Sequence, residues 1–416
     1  MDQSIVDNRK KFVVFLVIFL GLSLFQLTEL RYIWGGVIVA KIYNVTFLVC
    51  LSIYIAFSIL SRELTIKVWV LYMLPGVLVF IGYFVNTTIN TLRDPSLIVH
   101  YGGLFSWVVY LAVPFLLKDG VINLKKILQY YYYLTLLITI FGLFDYFLYF
   151  NNFVDFQVLN HPNGQFLSGW FSILHLLEDG SGHHRFYASM GEPGNLAMIL
   201  VPSAVYSIVY KKYLGFAVFA VGIYLTDSLG VFIAIGVVIF FSIILLLRSR
   251  KHPALLLILS FALFLSAVLG FEKVYNLYLE KGESRITRVE NIENSVTNLS
   301  SIVINYPFGI KFSNKYSENT DKYYYGSNFM PINALYKGGL VAVIGYIIAI
   351  MVFLMVSLSY FFRGNISREN VVASLSIISI LPFIFQRTAL LETSMLVLVF
   401  APYIVSRLGV AQQENT

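Results

Sequence analysis

Apolar stretches of about twenty residues, the length a helix needs to cross the hydrocarbon of a bilayer, recur along the whole chain. They cover roughly 12–28, 43–60, 68–86, 97–117, 127–150, 195–210, 214–226, 229–247, 253–270, 335–360, 371–385 and 389–406, which makes about twelve spans. Lipid offers the backbone no hydrogen bonds, and a helix supplies its own. The expected fold is therefore an all-α integral membrane protein, a single polytopic domain over residues 1–416. Composition agrees: 58% of the residues are hydrophobic and 12% charged, against about 45–50% and about 25% in soluble domains. A cytosolic enzyme is excluded. The first run follows Arg9, Lys10 and Lys11, but no small-residue cleavage site comes after it, so it is expected to be a span and not a signal peptide. The 214–226 run is short, and Tyr224 to Gly230 reads as a kink or a tight hairpin.

Charge sets the orientation. Lys and Arg collect in short cytoplasmic loops. With the N-terminus inside, the inner segments hold sixteen of the 29 Lys and Arg residues: Arg9, Lys10, Lys11, Arg62, Lys67, Lys118, Lys125, Lys126, Lys211, Lys212, Arg248, Arg250, Lys251, Arg363, Arg368 and Arg407. Short outer loops keep four, Arg31, Lys41, Arg93 and Arg387. Both termini are expected in the cytoplasm. Two long extracytoplasmic segments remain, 151–195 and 271–335, and loops of that length usually carry function. The net charge of +7 is too sparse for a nucleic-acid partner. The single cysteine, Cys50, excludes both a disulfide framework and a cysteine-ligated metal.

The first outer segment contains His161, His175, His183 and His184, and it ends in Arg185, Glu192, Pro193 and Gly194 where the next span begins. Glu192 precedes Pro193 and the apolar run Leu196–Val201, so it is expected at a helix start, beside the positive end of the dipole. A carboxylate there stays ionised near neutral pH and can accept a proton from a sugar hydroxyl. It also reads as a simple capping carboxylate. The histidines lack the spacing of a helical ligand face with a carboxylate partner, so no metal is expected.

In the second segment Ile286, Val289, Ile292, Val296, Leu299 and Val303 recur at intervals of three and four. This predicts an amphipathic helix on the outer membrane face or packed over the bundle. Arg285 and Arg288 flank its apolar stripe one turn apart, a spacing suited to gripping a diphosphate bidentately without a metal. The alternative is that they snorkel to lipid headgroups or pair with Glu283, Glu290 and Glu293. Tyr130–Tyr133 and Tyr323–Tyr325 are expected to form interfacial aromatic belts. Asp145, Asp227, Arg387 and Glu392 lie in or at the edges of spans, where ionisable groups are costly and often functional. Arg387 and Glu392 also read as a structural pair.

The order of these features resembles the O-antigen polymerase (Wzy) and O-antigen ligase superfamily. The resemblance is carried by Arg185, Gly191, Glu192, Pro193 and Gly194, by Leu225–Leu229 opening a span, and by Asn305, Tyr306, Pro307, Phe308 and Gly309, which are similar to an Asn-Pro-x-x-Gly segment. Ser327, Asn328 and Phe329, followed by Tyr336–Val341, are similar to a His-Asn-x-x-Leu segment leading into a span. It covers residues 140 to 360. Ser327 stands where ligases carry a histidine, and Ser228 is followed by Leu229 where many members carry an arginine.

The resemblance implies a GT-C-like fold and a metal-independent, inverting glycosyltransferase of the bacterial inner (plasma) membrane. It would polymerise polysaccharide repeat units such as those of O-antigen, exopolysaccharide or capsule, each linked to undecaprenyl diphosphate, at the outer face. Glu192 is the expected base with His184 and His183 behind it, Arg185 is catalytic as well, and Arg185, Arg285 and Arg288 bind the diphosphate. No cofactor is implied, since no phosphate-cradling glycine loop is present. The expected partners are the lipid-linked oligosaccharide, membrane lipid, a chain-length regulator and a flippase. The rival readings are an O-antigen ligase moving the glycan to another acceptor and a lipid-linked oligosaccharide flippase or transporter. A transporter would be expected to keep its charge in a central cavity with short loops.

Overall fold

The computed structural model of the chain describes residues 11, 14, 15, 18, 19, 30–61, 63–95, 103–151, 153, 157–161, 164–175, 185–190, 192–248, 293, 297, 300, 303, 304, 307–309, 330–363, 367–385 and 390–409. They are mostly helical. In chain order the elements are α1 (Leu30–Ser61), α2 (Ile66–Arg93), α3 (Phe105–Lys118), α4 (Leu124–Phe150), β1 (Gln157–His161), β2 (Gly164–Ser168), β3 (Ile173–His175), α5 (Pro193–Val209), α6 (Tyr213–Leu225), α7 (Leu229–Arg248), α8 (Met330–Arg363), α9 (Arg368–Ile380), a 3-10 helix (Leu381–Phe385) and α10 (Ser394–Arg407). Their starts follow local chemistry. Thr65 Oγ1 accepts from Val68 N at the head of α2, Asn123 Oδ1 accepts from Lys125 N and Lys126 N at the head of α4, and Ser367 Oγ accepts from Asn370 N at the head of α9. Each side chain satisfies donors that a helix start leaves open. In α2, Pro75 cannot donate to the preceding turn, and residues Trp69–Met73 just before it widen into a π-turn.

Among the described residues, three helices are long and apolar enough to cross a membrane by length and composition: Ile66–Arg93, Leu124–Phe150 and Met330–Ser359. Six further apolar helices are shorter. The expected run 253–270 and most of 12–28 lie outside the described residues. The run expected at 371–385 is α9 passing into the 3-10 helix, and it carries buried Ser374, Ser376 and Ser379.

The described residues group into two compact units interleaved along the sequence. The first draws on Met1–Phe47, Gly120–Val274 and Ser357–Leu381, the second on Leu48–Asp119, Tyr275–Val356 and Pro382–Thr416. In the first unit α5 packs on α4, α6, α7 and α9; in the second α3 packs on α10 and α2. The short helices α3, α5 and α10 are buried nearly all round, as expected of helices apolar on every face. The long helices keep one apolar face outward, with Leu137, Ile140, Phe144 and Phe147 on α4 and Ile344, Ile347, Met351 and Met355 on α8. Faces like these are a liability in water and are compatible with lipid.

One feature departs from the all-α expectation. Within the first outer segment β1, β2 and β3 form an antiparallel sheet in that order, with Gln157 opposite Ser168 and Phe166 opposite His175. The three strands are five residues or fewer, too short to register in a search for membrane-length apolar runs.

Candidate functional site

In the first unit, residues Arg185–Met190 run without helix into the start of α5. Phe186–Met190 are buried, and Arg185 is partly buried. The Phe186 amide donates to the Leu225 carbonyl at the end of α6 (2.9 Å), and the Phe186 ring meets Tyr146 of α4 edge-on at 5.5 Å. Ala188 sits at φ 47°, a conformation an L-residue adopts only under constraint. The constraint is close packing: a β-carbon on Gly142 of α4 would lie 2.5 Å from the Ala188 β-carbon. Glycine at 142 is what lets this strap lie flat on α4.

Glu192 is the N-cap residue of α5, extended at φ −155° and ψ 146°, and exposed. Its carboxylate makes no capping hydrogen bond. The Glu192 backbone carbonyl accepts from Asn195 N (3.1 Å) and Leu196 N (3.2 Å) instead. The positive end of the helix dipole also acts on a carboxylate placed there. Near it along the chain, Ser189 Oγ and Asn195 Oδ1 are buried with no hydrogen-bond partner among the described residues, a condition that a bound polar ligand or water relieves.

Among the described residues of this unit two aspartates are buried, and they divide. Asp145 is a structural tie. Its Oδ2 accepts from Phe171 N, Ser172 N (2.9 Å) and Ser172 Oγ (3.2 Å), fastening the β2–β3 turn to α4, with Phe171 stacked on Phe141. Asp227 sits in the break between α6 and α7 at φ 47°, buried, and within electrostatic reach of Tyr146. Arg185, Glu192 and Asp227 are thus carried by the breaks before α5 and after α6.

The expected tyrosine belt at 130–133 splits by helical phase. Tyr131 turns inward and donates to the Ile199 carbonyl (2.8 Å), and Tyr132 stacks on Tyr206 at 4.8 Å. Tyr133 faces outward and accepts from Lys212 Nζ (2.8 Å).

The second unit brings together two segments that lie far apart in sequence. Helix α8 is broken at Gly339 (φ 69°, ψ −165°). The Leu340 amide donates to the Pro307 carbonyl (3.2 Å), and the Gly339 backbone lies against Pro307 so closely that a β-carbon would collide with that carbonyl. On the other side of the break, Asn86 Nδ2 donates to the carbonyls of Tyr336 (3.4 Å) and Lys337 (3.0 Å), and Asn90 Nδ2 braces Asn86. These bonds satisfy backbone groups that the break releases, as burial requires. Of the expected amphipathic helix, Glu293, Thr297 and Ser300 are helical and exposed, and Val303 packs on Ile332, Leu335 and Tyr336.

Glu392 lies two residues before α10. Its Oε1 accepts from the Tyr83 hydroxyl (3.0 Å) and from Trp107 Nε1 (3.3 Å), while its backbone carbonyl accepts from Ser106 Oγ (2.7 Å). Tyr83, Asn86 and Asn90 follow one another at three and four residues on α2, a polar stripe near the end of an apolar run. That stripe is the signal the sequence offers for this network, and a search for apolar runs and charged groups passes over it.

His183, His184, Arg285, Arg288, Arg387 and Tyr323–Tyr325 lie outside the described residues. Among the described residues no three His, Cys, Asp or Glu side chains gather into a group able to hold a metal ion. Comparison of the chain with protein-family models, with curated proteins and with solved structures finds no match.

Proposed function

We propose that the protein is a polysaccharide polymerase of the bacterial plasma membrane, a metal-independent inverting glycosyltransferase of the Wzy and ligase superfamily with a GT-C-like fold. It joins oligosaccharide repeat units carried on undecaprenyl diphosphate, works at the outer face with both termini cytoplasmic, and takes a flippase and a chain-length regulator as partners. The observation that supports this best is the strap of the first unit. A buried, non-helical segment pinned to α4 and α6 delivers a partly buried Arg185 and an exposed Glu192, whose carboxylate does not cap, to the head of an apolar helix.

The chemistry divides between the two residues. A hydroxyl oxygen of the acceptor sugar attacks the anomeric carbon of the donor, forming the new C–O bond as the bond to the diphosphate oxygen breaks. The electron pair leaves with undecaprenyl diphosphate, and the hydroxyl proton passes to the Glu192 carboxylate. Arg185 faces charge that grows on the departing diphosphate, and fixed positive charge in a site of low dielectric stabilises such a transition state. For Arg285 and Arg288, the same role rests on the sequence alone.

The test is a ladder. Purified protein in detergent, given the lipid-linked repeat unit alone, is expected to yield products of increasing length; recovery of unchanged unit from folded protein counts against polymerisation. Orientation is checked separately by placing cysteines at Gly180 and Ser317 in a Cys50→Ser background, where an impermeant thiol reagent is expected to label both from outside intact cells.

A further inference from the structure

Glu392 has a feature that a structural cross-link does not need. Both donors that reach its side chain, the Tyr83 hydroxyl and Trp107 Nε1, converge on the same oxygen, Oε1. No described residue bonds Oε2, and Oε2 is not among the side-chain atoms buried without a partner. Glu392 as a residue is partly exposed. Two rigid aromatic side chains, each almost wholly buried, therefore fix the carboxylate plane, while the second oxygen faces outward as an acceptor. The backbone is fixed as well, through Ser106 Oγ on the Glu392 carbonyl and Ser106 beside Ser394 Oγ at 3.1 Å.

A carboxylate held in this way is preorganised to receive one hydrogen bond from a defined direction. Neutral donors already share its charge on one oxygen, and no described cation stands against it, so a hydroxyl is the donor its open side suits. Resting on the glycosyl-transfer proposal, we infer that Glu392 Oε2 is a sugar-hydroxyl acceptor, a binding point for the glycan in the second unit, with Tyr83 and Trp107 as its positioning residues. The ligand class is a neutral, polyhydroxylated sugar ring. The replacement Glu392→Gln separates this role from a cross-link. Glutamine keeps an Oε1 for Tyr83 and Trp107 and the same size, and it turns the open acceptor into an N–H donor.

The experiment uses the full chain in a detergent without a sugar headgroup. Methyl glycosides of glucose, galactose, mannose and N-acetylglucosamine are titrated in while Trp107 fluorescence is read against a Trp107→Phe blank. The expected result is a saturable change with at least one glycoside and an affinity about tenfold lower or worse in Glu392→Gln. Tyr83→Phe, which keeps the carboxylate and removes one pin, should lose a smaller factor of about three, and it serves if Glu392→Gln does not fold. Flat titrations of the wild type, equal affinity in Glu392→Gln, or, in its place, equal affinity in Tyr83→Phe overturn the inference. So does a response to sodium or methylammonium that outcompetes every glycoside, which would make Oε2 a cation site. The ladder assay keeps the parent proposal distinct. Glycoside binding that depends on Glu392 in a protein that makes no ladder sinks the polymerase and leaves the hydroxyl site standing; a ladder with no such binding does the reverse.

Discussion

Glu192 and Glu392 both stand at the threshold of a buried apolar helix, α5 in one unit and α10 in the other, and their surroundings are opposite. At Glu192 the backbone carbonyl takes up the amides of the helix start, and the carboxylate stands exposed without capping. At Glu392 the carboxylate is gripped by donors 309 and 285 residues away in the chain. Position relative to a helix start does not decide what a carboxylate does; the reach of distant side chains does. On the proposed function, the exposed carboxylate is the one that meets a reacting hydroxyl, and the one pinned on a single oxygen holds what comes to the other.

The largest expected difference between the two glutamates is in activity. If Glu192 takes the proton, Glu192→Gln is expected to slow ladder formation by about 10² to 10⁴ while binding of lipid-linked substrate survives. Near wild-type polymerisation by Glu192→Gln would transfer the base role elsewhere or leave catalysis to leaving-group stabilisation alone.

The next effect is on folding and belongs to the second unit. Gly339 needs a positive φ and has Pro307 against its backbone. Alanine there is expected to cost about 1–3 kcal/mol for a backbone conformation that glycine alone adopts readily and about 1–3 kcal/mol more for crowding. A melting curve in detergent reads this as a lowered midpoint. Gly142→Ala in the first unit keeps an ordinary helical φ and meets the crowding against Ala188 and the Phe186 ring alone, so it should lose less. An unchanged midpoint for Gly339→Ala would show that the break in α8 is not held by Pro307.

How much of this was legible in the chain follows from range. Helix positions came from apolar runs, so α4, α5, α6, α7 and α8 fall within about five residues of the expected runs, whereas α2 runs on past the end of its run at 86 to Arg93 and α1 begins at Leu30, well before the expected 43. The helix start at Pro193 was legible because Pro at a first turn is a local signal. Long-range partners were not. Nothing near Asp145 in sequence foretells that its oxygen ties down Phe171 and Ser172, and nothing near Glu392 foretells Tyr83 and Trp107. The sheet escaped because its strands carry no membrane-length pattern. The break at Gly339 escaped because two adjacent glycines in an apolar run look like close packing, which Gly338 provides against Tyr83, until φ is known.

Asp145 is a third carboxylate, and the bonds it accepts come from the β2–β3 turn, from Phe171 and Ser172. Asp145→Ala leaves the amides of Phe171 and Ser172 without their acceptor, and hydrogen bonds to a charged group are worth about 1.5–3 kcal/mol. A stability loss in that range, with ladder formation per folded molecule unchanged, is expected. A folded Asp145→Ala protein that cannot polymerise would bring the sheet into the reaction.

The smallest expected effect is the stability of Glu192→Gln, and it tests the contrast at its root. Removing a side chain that truly caps a helix costs about 0.5–2 kcal/mol, because a buried amide loses its acceptor. Glu192 offers no such bond, and Gln would keep the backbone carbonyl that Asn195 and Leu196 use. At the helix start, what is lost is the interaction of a negative charge with the helix dipole, about 0.3–1 kcal/mol at low salt and less when ions screen it. The midpoint should therefore fall slightly in dilute buffer, and the gap from wild type should close as salt is raised. A hydrogen bond would not respond to salt in that way. A large deficit that persists at high salt would mean that the carboxylate does hold the start of α5, and the exposed, non-capping state of Glu192 that sets it apart from Glu392 would no longer stand.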